Sequence, residues 1–107
     1  MSAPPAGPAP VFAALSDETR WSILAELGRR DLSASALAGV LPVSRQAIAK
    51  HLAVLVAVGL VEPVPAGREI RYRAVGDRLS DLARELESIG AAWDRRLDTI
   101  RRIAEEL

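Results

Sequence analysis

The stretch LAGVLPVSRQAIAKHLAVLVAVGL, Leu37 to Leu60, decides the fold. It opens on the end of a short apolar helix, Leu37-Ala38-Gly39-Val40-Leu41. Pro42 disfavours helical geometry in Leu41 and cannot itself continue a helix, so Pro42-Val43 is a break. Ser44 then stands where an N-cap belongs, its hydroxyl placed to accept an amide hydrogen two or three residues on. A second helix follows, with Ile48, Leu52 and Leu55 on an i, i+4, i+7 apolar stripe. Arg45, Gln46, Ala49 and Lys50 share the opposite face. Two helices, a tight turn, and basic and amide groups at the start of the second helix describe a helix-turn-helix, whose second helix enters the DNA major groove. An ordinary helical hairpin with a solvated polar face has the same pattern, so the flanking sequence must decide.

Downstream, Gly59 ends the second helix and Val61 to Ala74 reads as a β-hairpin. Val61-Glu62-Pro63-Val64 and Glu69-Ile70-Arg71-Tyr72-Arg73 are its strands, around Pro65-Ala66-Gly67-Arg68. Ile70 and Tyr72 alternate with Glu69, Arg71 and Arg73, the period of a half-buried strand. Pro63 and Pro65 confine the first strand to a sheet edge. A basic hairpin directly after a helix-turn-helix is a wing. From Pro42 to Gly76 the cations are Arg45, Lys50, Arg68, Arg71 and Arg73 and the anions Glu62 and Glu69, five minus two, a net +3 inside a chain of formal net charge zero. Such segregation suits a phosphate-binding face, because counterion release supplies much of the affinity for DNA.

Upstream, Met1 to Pro10 is rich in proline and alanine and is expected to be a disordered tail. Val11 to Leu15 is a short apolar helix. Ser16 or Asp17 caps the next, which runs toward Arg30 with Ile23, Leu24 and Leu27 facing the core and Gly28 as a C-terminal signal. Asp31-Leu32 could add a small strand, and Ser33 caps a helix over Ala34 to Leu41 with Leu37 and Leu41 inward.

Asp77 to Leu107 is expected to be one long helix. Its apolar positions Leu79, Leu82, Leu86, Ile89, Trp93, Leu97, Ile100 and Ala104 form a near-heptad seam with one slip between Trp93 and Leu97. Gly90 within it is a candidate kink. A domain this small cannot cover so long a stripe alone, and a second copy of the chain is the simplest partner. Packing of part of the seam onto Val11, Phe12 and Leu15 of the same chain is the alternative. The expected division is therefore a tail over 1–10, a DNA-binding unit over 11–76 and a dimerisation helix over 77–107. The fold class is mainly α with a small β-hairpin, a winged helix-turn-helix.

Composition removes several functions. The chain has 107 residues, no cysteine and one histidine, His51. Disulfides, thiolate ligands, a cysteine nucleophile and multi-histidine sites are excluded within one chain. There is no glycine-rich phosphate loop or paired-carboxylate cleft, so an enzyme is not expected. No stretch approaches the roughly 20 apolar residues of a membrane span, and the N-terminus lacks a secretory signal. A cytoplasmic chain without cofactor is the expectation.

Several runs resemble one family, the ArsR-type winged-helix repressors. Ala14-Leu15-Ser16-Asp17-Glu18-Thr19-Arg20-Trp21-Ser22-Ile23-Leu24 is similar to their L-A-D-P-T-R-x-x-I-L opening. Ser33 to Ala38 resembles S-V-x-E-L-A. Val43 to Leu55 resembles L-S-x-x-A-V-S-x-H-L-x-V-L, followed by Gly59-Leu60-Val61. Gly67-Arg68 with Tyr72-Arg73 resembles the G-R-x-x-x-Y-x-L of the wing. These runs cover about Phe12 to Val75, and Trp93 to Leu97 resembles the C-terminal W-x-x-R-L of members without metal sites. The resemblance implies a homodimer that sits on an operator and is released by a signal. The family's thiolate motif would fall near Leu32 to Leu37, which reads LSASAL here, and its C-terminal His and Asp pairs are missing, so metal sensing is not expected.

The residues expected to meet DNA are Ser44, Arg45, Gln46, Ala49 and Lys50 on the helix and Arg68, Arg71 and Arg73 on the wing. Arg can grip guanine bidentately and Gln adenine, and Ala49 can touch a thymine methyl. Arg68 at the tip is placed for the minor groove, while Arg71 and Arg73 could instead pair with acids of their own chain. His51 reads as a hydrogen-bonded residue at the core edge. Dimerisation falls to Val11, Phe12, Leu15, Leu79, Leu82, Leu86, Ile89, Trp93, Leu97 and Ile100. A winged-helix protein-interaction module without DNA binding is the competing reading. The releasing signal stays open between a small apolar molecule, a partner protein and the protein's own concentration.

Overall fold

The computed structural model describes residues 8–106. The order is α1 (Pro8–Leu15), α2 (Glu18–Leu27), β1 (Leu32–Ser33), α3 (Ala34–Val40), α4 (Arg45–Ala57), β2 (Val61–Ala66), β3 (Glu69–Ala74) and α5 (Gly76–Glu106). Most of the stretch expected as a tail, residues 1–7, lies outside the described residues, and α1 takes in Pro8 to Pro10.

Each of the three central helices starts on a side-chain cap. Asp17 accepts the Arg20 amide at 3.0 Å, Ser33 the Ala36 amide at 3.1 Å, and Ser44 the Ala47 amide at 3.2 Å. Each bond satisfies one donor that a helix start leaves unpaired. Pro42 and Val43 fall outside helix, and α3 and α4 meet at a bend of 117°, within the range for helix-turn-helix pairs. At the far end of α4, Gly59 has φ +82. The Leu60 amide bonds Leu55 O and the Gly59 amide bonds Val56 O, both at 3.0 Å. This is a Schellman closure, and its accompanying apolar pair, Leu55 and Leu60, is fully buried. Gly28 is the C-cap that ends α2, as expected, but in ordinary helical geometry at φ −67.

The sheet has strand order β1-β3-β2, all antiparallel. The wing strands run longer than the sequence suggested. Ala66 pairs Glu69, leaving only Gly67-Arg68 as the turn. Gly67 has φ +65 and Arg68 does not, the pattern of a II′-type turn with glycine first. Pro63 and Pro65 alternate with residues whose backbone bonds β3, so their missing N–H groups face the open edge, as expected of an edge strand.

The core is one cluster of Val11, Ile23, Leu27, Leu32, Leu37, Ile48, Leu52, Leu55, Leu60, Val61 and Leu82. Ile23 and Leu27 of α2, Leu37 of α3 and the α4 stripe are all in it, as their periodicity implied. Tyr72 packs against it, but Ile70, expected to be half-buried, is 53% exposed. It lies two residues nearer the wing tip, beyond the helices that cover Tyr72. α5 runs without interruption through Gly90, so no break occurs there. Only its base is seated, through Leu82 and, partly, Leu79. Leu86, Ile89, Trp93, Leu97, Ile100 and Ile103 stand in solvent at 45–61% exposure. Among the described residues no single helix is long and apolar enough to cross a membrane.

Candidate nucleic-acid interface

The site is built on α4 and the β2–β3 wing. Ile48, Leu52 and Leu55 are locked into the core, which fixes the rotation of α4 and turns Ser44, Arg45, Gln46, Ala49 and Lys50 outward, all exposed. The wing is anchored below by Leu60 and Val61, both buried, and tied to α3's entry by β1, with Leu32 opposite Tyr72 and Ser33 opposite Arg71.

The electrostatics sort the five cations into two groups. Arg73 is held by Glu62 across the hairpin, with Nη2 at 2.7 Å and Nε at 2.9 Å from the same carboxylate oxygen. Arg71 Nε donates to Glu69 at 2.8 Å. These pairs consume both anions of the region. Arg45, Lys50 and Arg68 have no ion pair among the described residues, and they are the net +3 of the sequence. Arg71 and Arg73 thus take the alternative the sequence left open, pairing within their own chain. Arg45 and Arg68 also line one groove of about 370 Å³, with Ser33, Ser35, Glu69 and Tyr72 on its walls.

The scaffold under this face contains a contact set that sequence reasoning only half found. Arg20 Nε donates to Ala14 O at 2.6 Å, and its Nη1 lies 3.4 Å from His51 Nδ1. Asp17 Oδ1 is 4.0 Å from the same ring nitrogen. The Arg20 amide holds the Asp17 carboxyl below its ordinary value, against desolvation and with help from the Arg20 charge. His51 is therefore half-buried at the core edge and linked to α1 and α2, as expected. Arg20 was read only as part of a motif; its carbonyl bond joins residues six apart through a turn, which no periodicity reports. Ser33, Ser35 and Tyr72 were not expected at the site because only the packing of β1, α3 and the wing brings them to one groove with Arg45.

The residues expected to pair two copies divide in two. Val11 at 0% and Leu82 at 4% exposure are buried in this chain's own core, leaving a partner almost nothing to touch. Phe12, Leu15 and Leu79 are partly buried against that core. Leu86, Ile89, Trp93, Leu97 and Ile100 remain outward, and so does Ile103, beside the exposed Ala104. Arg96 lies over the Trp93 ring, 5.4 Å from its centroid. Among the described residues no group of three or more His, Cys, Asp or Glu could hold a metal ion.

Comparison with known proteins gives this architecture its relatives. A helix-turn-helix domain family matches residues 15–64. The structure of an ArsR-like transcriptional regulator from Rhodococcus sp. RHA1 is 70% identical and superposes with a TM-score of 0.82, covering 91% of this chain and 92% of that one. The HTH-type transcriptional regulator Rv2034 of Mycobacterium tuberculosis is 38% identical over 84 residues, 78% of this chain and 76% of the relative. A homodimeric winged helix-turn-helix DNA-binding domain from Mycobacterium bovis, Mb0332, is 28% identical with a TM-score of 0.63, covering 83% of this chain and 80% of that one. The chain belongs to the ArsR-type winged helix-turn-helix transcriptional regulators.

Proposed function

We propose that this chain is a homodimeric, sequence-specific DNA-binding repressor that occupies an inverted-repeat operator. The carrying observation is the trio Arg45, Lys50 and Arg68, exposed on one helix-and-wing face and without an ion pair among the described residues. Carbon-rich surface would suffice for a protein-interaction module; three unneutralised cations around an exposed Gln46 favour a polyanion with readable base edges. In this reading residues 11–76 bind DNA and residues 77–107 pair two copies. The bare seam from Leu86 to Ile103 supports the pairing, as does the homodimeric state of the Mycobacterium bovis neighbour. Among the groove-facing residues, Gln46 and Ala49 read bases, Lys50 adds a base or phosphate contact, and Ser44 caps its helix beside the backbone.

The test is binding to duplex DNA from immediately upstream of the protein's own coding region, against a scrambled duplex, at two salt concentrations. Protection of an inverted repeat with log affinity falling steeply in log salt supports the assignment. Gln46→Ala should relax preference at one base pair per half-site, by about 1–3 kcal/mol. Equal, weak binding to upstream, scrambled and selected random duplexes would remove it.

A further inference from the structure

The groove shared by wing and helix assigns Arg45 a role different from the one its sequence position suggests. α4 contributes only Arg45 to that groove; Gln46, Ala49 and Lys50 are not among its walls. Arg68 lines it from the wing turn, and the hydroxyl-bearing residues Ser33, Ser35 and Tyr72 line it beside Ala34 and Ile70. The one carboxylate present, Glu69, is engaged by Arg71 at 2.8 Å. We propose that this groove seats a single DNA backbone phosphate, held jointly by Arg45 and Arg68, so that Arg45 positions the duplex and does not read guanine. The inference rests on the DNA-binding reading above.

Three physical points carry it. Two guanidinium groups that face one groove with no carboxylate of their own repel each other, and an anion between them removes that repulsion. Hydroxyl and guanidinium donors on several walls suit the tetrahedral oxygens of a phosphate, which accept from many directions. A base edge is reached by side chains projecting from the helix into the major groove; Gln46, Ala49 and Lys50 share no wall with the wing, whereas Arg45 lines a groove with the wing and the start of α3. Base discrimination then falls to Gln46, Ala49 and Lys50. The clamp also couples helix to wing, because one phosphate fixes both.

The experiment uses the full chain, the tightest duplex that it selects from a random-sequence pool, and a scrambled duplex of the same composition. Arg45→Ala and Arg68→Ala, each with an unchanged thermal melt, should weaken both duplexes by the same factor, about tenfold. Removing both should make the slope of log affinity against log salt shallower by about 0.9, the share of one phosphate, and each single variant by less than that. Arg45→Lys should recover most of the affinity, since a point charge still serves a phosphate. The double variant should lose clearly less than the product of the two single losses, because the partners share one phosphate. Reselection with Arg45→Ala should return the wild-type sequence preference. If reselection instead returns a changed base at one position, with the salt slope intact, Arg45 reads a base and the clamp is wrong while DNA binding stands. If the wild-type chain selects no sequence at all, both fall together.

Discussion

Two glycines show how a single residue's backbone sets its tolerance to change. Gly59 closes α4 at φ +82 with no atom near a would-be Cβ, so Gly59→Ala meets only backbone strain, a loss of about 1–2 kcal/mol. Gly39 sits inside α3 with ordinary angles and equally open space. Gly39→Ala should therefore stabilise by roughly 0.5–1 kcal/mol through helix propensity. Urea melts of the pair should move in opposite directions, and movement in the same direction would refute the assignment of Gly59 as the C-cap. Asp17 adds a pH dependence with a definite sign. Its carboxyl is held below its ordinary value by the Arg20 amide, so the charged form is the one the fold prefers. That contribution is fully present above the unfolded value near pH 4 and is lost as pH falls through the lower folded value. Asp17→Asn keeps a capping oxygen but removes the titration. Thermal melts between pH 6 and pH 3 should show a shallower acid decline for this variant than for the parent.

At the scale of an element, the wing balances stability against charge. The Arg73–Glu62 and Arg71–Glu69 pairs are about half exposed, where such pairs contribute at most about 1 kcal/mol. Glu62→Gln should leave the melting temperature nearly unchanged while freeing Arg73. DNA affinity should then rise and its salt dependence steepen, measured on any duplex. Unchanged affinity would place Arg73 away from the backbone. α5 divides the same way along its length. Leu82 is buried in the shared core cluster, and Leu82→Ala should cost about 2–5 kcal/mol at every protein concentration. The residues beyond it have no such cover in one chain.

The whole molecule is extended for a single chain of its length. Its radius of gyration is 18.4 Å and its extents 69 × 36 × 20 Å, where a compact chain of this length has about 13 Å. A helix of about 46 Å, reckoned at 1.5 Å per residue, projects its apolar seam from the body. With pairing through that seam, the melting temperature should depend on concentration in the parent and not in Leu97→Glu, which should elute as a monomer. A Leu97→Glu chain that stays dimeric would move the interface elsewhere. Two-fold pairing also predicts half-sites whose centres lie whole turns apart, about 10–10.5 base pairs or a multiple, readable by footprinting.

Much of this protein is local in origin and was legible in the sequence. The caps at Asp17, Ser33 and Ser44, the break at Pro42, the α4 stripe and the Gly59 stop act within four or five residues, the range over which helix hydrogen bonds and side-chain faces are decided. The winged helix-turn-helix follows from their order, and the net +3 was countable before any coordinates. What sequence left open needed distance across the fold. Which arginines stay free depends on Glu62 lying opposite Arg73 in the hairpin register. That Val11 and Leu82 serve this chain's own core follows from how α1 and the base of α5 seat on the shared cluster. Arg45 shares a groove with Arg68 only because β1 and the Gly67 turn bring the wing beside α3. Periodicity tells which face of a helix is apolar or charged; only the packing of several elements tells what that face meets.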